Sequence, residues 1–164
     1  MSMKSPLYLT ILLLLTAAPL AYAQASGDAL SQKELQAAKE LVETERNMQL
    51  IINLEFTEEE NEAFWPLYDE YRAKLRSIRE RKLSLIQDYA DRYWAGTVDN
   101  EFADSAIKEA LKIQADTVKL RQKYWKKFRR IVPATKAARF YQLENKMDAE
   151  VDYVLAGGVP LVEQ

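Results

Sequence analysis

The chain has 164 residues, with 23 Lys and Arg against 25 Asp and Glu, and no histidine or cysteine. It can therefore build no Ser-His or Cys-His nucleophile, no nitrogen- or thiolate-ligated zinc or copper site, and no disulfide framework, so burial must hold the fold. A formal net charge of −2 gives no whole-molecule attraction for nucleic acid.

The first residues, MSMKSPLYLTILLLLTAAPLAYAQA, place Lys4 ahead of a short apolar run that closes on Ala21-Tyr22-Ala23. Small residues at the −3 and −1 positions predict a secretory signal over 1–23, cleaved after Ala23, with an uncleaved anchor as the alternative. No cysteine follows the run, so lipoprotein processing is not available. Export to a periplasm removes chromosomal DNA as the natural partner. Residues 24–164 then suit one all-helical domain.

Glycine is sparse, and helical spacing runs through the rest of the chain. Ser31-x-x-Glu34 is a capping box that opens a helix over about 31–52, with Leu35, Ala38, Leu41, Val42, Met48, Ile51 and Ile52 as its apolar face. Thr57-x-x-Glu60 is a second capping box, with Phe56 as a hydrophobic staple. It opens a helix over about 58–95, stopped by Gly96; at ~1.5 Å per residue this would be roughly 55 Å long. Phe64, Tyr68, Tyr71, Leu75, Ile78, Leu85 and Tyr89 form a four-three seam broken at Lys82. Pro66 inside this helix predicts either a kink that wraps the core or a functional concavity.

Asp99 or Asn100 caps a helix over about 100–132, whose stripe is read as Ile107, Leu111, Val118, Trp125, Phe128 and Val132. Pro133 breaks the run. A last helix over about 134–156 presents Ala137, Phe140, Tyr141, Met147, Val151 and Val154, and Gly157-Gly158 ends it. The apolar tail VPLVEQ is expected to dock rather than hang free. The two long helices read as an antiparallel hairpin, so Tyr71 falls opposite about Trp125 and Tyr68 opposite about Phe128. Phe64, Trp65, Tyr68, Tyr71, Tyr124, Trp125 and Phe128 then gather into one cluster, either a core layer or the lining of a binding surface.

Residues 119–140 hold nine cations and no acid. The hairpin register sets Arg72, Lys74, Arg76, Arg79, Arg81 and Lys82 beside Lys119, Arg121 and Lys123, while Asp69 and Glu70 fall nearer Lys126 and Lys127. One reading is helix solvation and dipole complementation, with acids such as Glu144 and Asp148 neutralising the band. The other is an exported basic surface with apolar side chains beside it, suited to polypeptides or anionic head groups. Its candidate residues are Tyr71, Arg72, Arg76, Arg79, Lys119, Lys123, Trp125, Lys126 and Lys127. No cofactor, metal ligand set or catalytic group is expected; carboxylates sit at helix starts and on charged helical faces, with no calcium-loop spacing.

The segment FTEEENEAFWPLYDEY opening one long helix resembles the LTXXQ-motif family of periplasmic proteins, which includes the Spy-type chaperone. The family motif would correspond to Phe56-Thr57-Glu58-Glu59-Glu60, with leucine replaced by Phe56 and glutamine by Glu60, and a second copy near 132–136. FWPLYDEY, P-x-x-KAARFYQLENK and the terminal VPLV are also similar to a group of uncharacterised proteobacterial exported proteins. The family resemblance implies helical hairpins that dimerise into a curved cradle and bind unfolded clients on a basic, apolar concave face.

The sequence therefore predicts an all-α, elongated hairpin with two flanking helices in a Gram-negative periplasm. Its expected role is non-enzymatic: an ATP-independent chaperone or envelope-stress protein that binds unfolded proteins, completed as a homodimer. The alternative is a signalling or structural adaptor for one envelope protein. A membrane-surface role is the weaker expectation, because no helix shows a basic face opposite a bulky, otherwise unpaired apolar one.

Overall fold

The computed structural model describes residues 32–162, with side chains from residue 40 onward. They form four helices, α1 (Gln32–Leu54), α2 (Glu58–Trp94), α3 (Asn100–Ile131) and α4 (Ala134–Gly157), and no strand among the described residues. The all-α class is as the sequence predicts. The signal segment, Ser31 and the face at Leu35 and Ala38 lie outside what is described.

The helix ends follow from local chemistry. The Thr57 hydroxyl accepts from the Glu60 amide and the Glu60 carboxylate accepts from the Thr57 amide, so the second capping box is complete. Phe56 packs back on Phe64 with ring centroids 4.5 Å apart. At the other end of α2, Gly96 takes φ +66, and the amides of Gly96 and Thr97 return to the carbonyls of Tyr93 and Arg92. That pair of bonds is a Schellman closure, which needs a left-handed residue at Gly96. Asp99, not Asn100, caps α3 by accepting from the Phe102 amide at 2.7 Å. Pro133 cannot continue α3, and its carbonyl instead accepts from Ala137 as α4 begins. Glu55, just beyond α1, holds φ 46, a left-handed conformation that strains a side chain with a Cβ.

The chain divides into two compact units. One joins the described residues up to Glu55 with Arg139–Gly158. Leu50 and Leu54 of α1 and Phe140 of α4 are buried there. So are three charged groups. Arg46 forks onto Glu144 at 2.9 Å and Asp148 at 3.0 Å, with all three side chains nearly inaccessible. Glu144 and Asp148 stand one turn apart on α4, a spacing that suits a two-pronged guanidinium. They are therefore committed to Arg46 rather than to neutralising the basic stretch.

The other unit contains Phe56–Ala138 and the described residues from Val159 onward. Here α2 and α3 pair antiparallel as a hairpin. Phe64, Tyr68, Tyr71 and Leu75 of α2 are buried, and α2 stays helical across Pro66. Tyr71 meets Tyr124 at 5.3 Å and Phe128 at 6.1 Å, and Phe64 meets Phe128 at 5.2 Å. The hairpin register read from the turn is right to within about one residue. Tyr89 donates to the Pro160 carbonyl at 2.9 Å, which docks the tail at Pro160 while Leu161 and Val162 stay exposed.

The face of α3 is different from the expected one. Its buried side chains are Ile113, Tyr124 and Phe128, followed by Val132. Ile107, Leu111, Val118 and Trp125, expected in the hairpin seam, are 63, 58, 52 and 37 % exposed. Only Phe128 and Val132 of the expected stripe are core. A helix turns about 100° per residue, so two apolar stripes fit on α3, and α2 takes the one carrying Tyr124 and Phe128.

Candidate functional site: the outer face of α3

Ion pairs fix which way α3 is turned. Arg81 of α2 reaches across to Glu109 at 2.7 Å and Asp116 at 2.7 Å. These two acids are seven residues apart on one edge of α3, so a single guanidinium fastens two turns of the helix. The Arg81 hydrogen bond holds the Asp116 carboxyl below its ordinary range. Nearer the open end, Glu70 pairs with Lys74 at 2.7 Å and Lys127 at 3.0 Å. Both ammonium groups also lie over the Tyr124 ring, Lys127 at 4.6 Å and Lys74 at 5.6 Å from its centroid. Lys136 completes the ladder by pairing with Glu60 over the Phe56 ring.

Lys74, with Tyr124 and Lys127 adding, holds the Glu70 carboxyl down to about 2. A depressed folded-state pKa contributes stability above the unfolded value near 4.5 and loses it as pH falls toward about 2. Glu70 is solvent-exposed, so water screens the pair and the contribution is small. The expected result of a carboxyl-carbon NMR titration is a Glu70 midpoint well below that of an ordinary glutamate, returning toward 4.5 in Lys74→Ala.

The nine predicted surface residues separate into three groups. Tyr71 and Arg72 are buried, at 3 and 8 % exposure, and leave the candidate surface. Tyr71 belongs to the aromatic core, and Arg72 stands one turn after Tyr68 on the same buried side of α2. Arg79 and Lys127 are half-buried, and Lys127 is committed to Glu70 and Tyr124. Arg76, Lys119, Lys123, Trp125 and Lys126 are exposed. Three of the four cations among them lie on α3, so the accessible part of the predicted basic surface belongs mainly to α3 rather than to a band shared by both helices.

The exposed surface of α3 has two parallel stripes. One is apolar: Ile107, Leu111, Val118 and Trp125. The other is cationic and borders it on one side: Lys112, Lys119, Lys123, Lys126 and Arg130, all exposed. Among the described residues, none of these five cations has a carboxylate at salt-bridge distance, because Glu109 and Asp116 are turned to Arg81. Exposed cations therefore border exposed bulky apolar side chains on α3. Ile107, Leu111 and Val118 have a helical spacing visible in the sequence but read there as the hairpin seam, and Lys112 and Arg130 complete the cationic stripe without being among the candidates.

The first unit has exposed apolar residues of its own on α1: Leu41, Met48, Ile51 and Ile52. Arg46 is the one cation among the side chains described on α1, and it is buried. Among the described helices, α3 lines up four exposed large apolar side chains beside exposed cations, whereas α2 exposes Leu83 and Trp94. No helix among the described residues is long and apolar enough to cross a membrane, and no cluster of acids there has metal-binding geometry. No family model, curated protein or solved structure matches this chain.

Proposed function

We propose that this chain is an exported, non-enzymatic polypeptide-binding protein that works as an ATP-independent chaperone through the outer face of α3. One observation carries the proposal: four large apolar side chains stay exposed beside five exposed cations with no carboxylate at salt-bridge distance, on a helix whose other face is satisfied by the hairpin core. Exposed contiguous apolar surface rimmed by charge is a recurrent mark of a polypeptide-binding site. Cations speed encounter with acidic or unfolded segments, and the apolar stripe holds them once water is displaced. The resemblance to periplasmic hairpin chaperones and the signal-like first residues support the same reading and the periplasmic location.

The test is light scattering from a denatured, unrelated client, with the purified protein beside Lys119→Glu/Lys123→Glu/Lys126→Glu. All three side chains are exposed with no carboxylate at salt-bridge distance, so the variant is expected to keep its helical circular dichroism. Suppression by the wild type, largely lost in the variant and weakened by salt, supports the proposal. A wild type that leaves aggregation unchanged removes it.

A further inference from the structure

The outer face of α3 has a spacing as well as a composition. Leu111, Val118 and Trp125 recur every seven residues, and each is followed by a lysine: Lys112, Lys119 and Lys126. Ile107 stands one turn before Leu111. At ~1.5 Å per residue, the apolar side chains repeat every ~10.5 Å and the whole stripe spans ~27 Å. The three lysines run parallel to it, about 100° round the helix.

This repeat discriminates between ligand conformations. An extended peptide sends side chains to one face every ~6.6–6.8 Å, so it falls out of phase with a ~10.5 Å repeat. A second helix with apolar residues in heptads has the same ~10.5 Å repeat and stays in phase along the full stripe. The charge is equally directional. The lysine column occupies one flank, whereas the other flank carries Ala110, Gln114 and Thr117 around Arg121. An antiparallel second copy docked through this stripe would bring lysine against lysine, which Coulomb repulsion disfavours, and a parallel copy would set the lysine column against Ala110, Gln114, Thr117 and Arg121, where no acid meets it.

We infer that the outer face of α3 takes an amphipathic helix of a partner protein, about three heptads long, with an apolar stripe and acids along one flank. The inference rests on the polypeptide-binding reading above and narrows it to a helical segment held in register. The acids of the partner meet Lys112, Lys119 and Lys126, and its apolar knobs fill the gaps between Ile107, Leu111, Val118 and Trp125.

The test uses three labelled peptides of about three heptads each, read by fluorescence anisotropy against the purified protein. The first has leucines in one stripe and glutamates on one flank. The second has the same composition scrambled, so that no stripe forms. The third replaces the glutamates with lysines. The expected result is that the first peptide binds about tenfold or more tightly than either other, and that Lys112→Glu/Lys119→Glu/Lys126→Glu reverses the choice between the first and third. If that triple variant does not fold, Lys119→Glu with a peptide carrying one matching lysine makes the same comparison.

Equal binding of the scrambled peptide overturns the inference and leaves the polypeptide-binding reading intact. So does failure of all three peptides with a protein that still protects a denatured client. Failure of both peptide binding and client protection removes both readings. Sedimentation of the unliganded protein as a dimer that Leu111→Asp converts to a monomer would give the stripe to a second copy and overturn the inference as well.

Discussion

Arg46→Ala is expected to destabilise the unit built from α1 and the later part of α4 by about 3–5 kcal/mol. The substitution leaves Glu144 and Asp148 as buried carboxylates without their shared counter-charge. The cost comes from removing that counter-charge, and only secondarily from the hydrogen bonds lost with it. Replacing the whole triad by Arg46→Met/Glu144→Leu/Asp148→Leu should recover most of the loss, because apolar groups of similar size need no counter-charge. Urea unfolding followed by circular dichroism checks both. The tryptophans Trp65, Trp94 and Trp125 all belong to the other unit. Arg46→Ala should therefore lower the circular dichroism midpoint more than the tryptophan fluorescence midpoint.

Phe128→Ala is expected to cost about 3–5 kcal/mol in the hairpin unit. Phe128 is fully buried and touches Phe64, Tyr71 and Tyr124, so truncation opens a cavity among rings that interlock. Trp125→Ala, three residues earlier on a partly exposed face, should cost about 1 kcal/mol or less despite removing a larger side chain. The contrast reports the rotation of α3 directly. If Trp125 shared the core with Phe128, as the expected stripe has it, the two costs would be comparable. Thermal unfolding of the two variants side by side distinguishes the cases.

How much of this was legible in the sequence differs from feature to feature. The helices were, because their ends carry local signals: Thr57 with Glu60, Gly96 in a left-handed turn, Asp99 as a cap, Pro133 as a break. The pairing of α2 with α3 was also legible, since counting outward from the turn sets Glu70 near Lys127, as the ion pair shows. The rotation of α3 was not. Ile107, Leu111, Val118 and Trp125 satisfy helical periodicity as well as Ile113, Tyr124 and Phe128 do, and periodicity has no term for what the neighbouring helix presents.

Two interactions settle that rotation, and both are between distant residues. Arg81 needs Glu109 and Asp116 on the edge it can reach, and the rings of Phe64 and Tyr71 need Tyr124 and Phe128. Turning α3 to bury Val118 and Trp125 would give up both. The same distance hid the role of Arg46, whose partners lie about a hundred positions further along the chain. The candidate site was legible as a composition, cations interleaved with aromatics, but its surface members became clear only once the hairpin had claimed Tyr71, Arg72 and Lys127.

The most direct test of the central claim, that the outer face of α3 is a binding surface and not core, is Val118→Asp examined for stability and for client protection together. Val118 is 52 % exposed. The unfolding free energy should therefore change by about 0.5 kcal/mol or less, while suppression of client aggregation falls sharply as a charge enters the apolar stripe. A variant that unfolds would return Val118 to the core, and a stable variant that protects clients as well as the wild type would show that this face binds nothing.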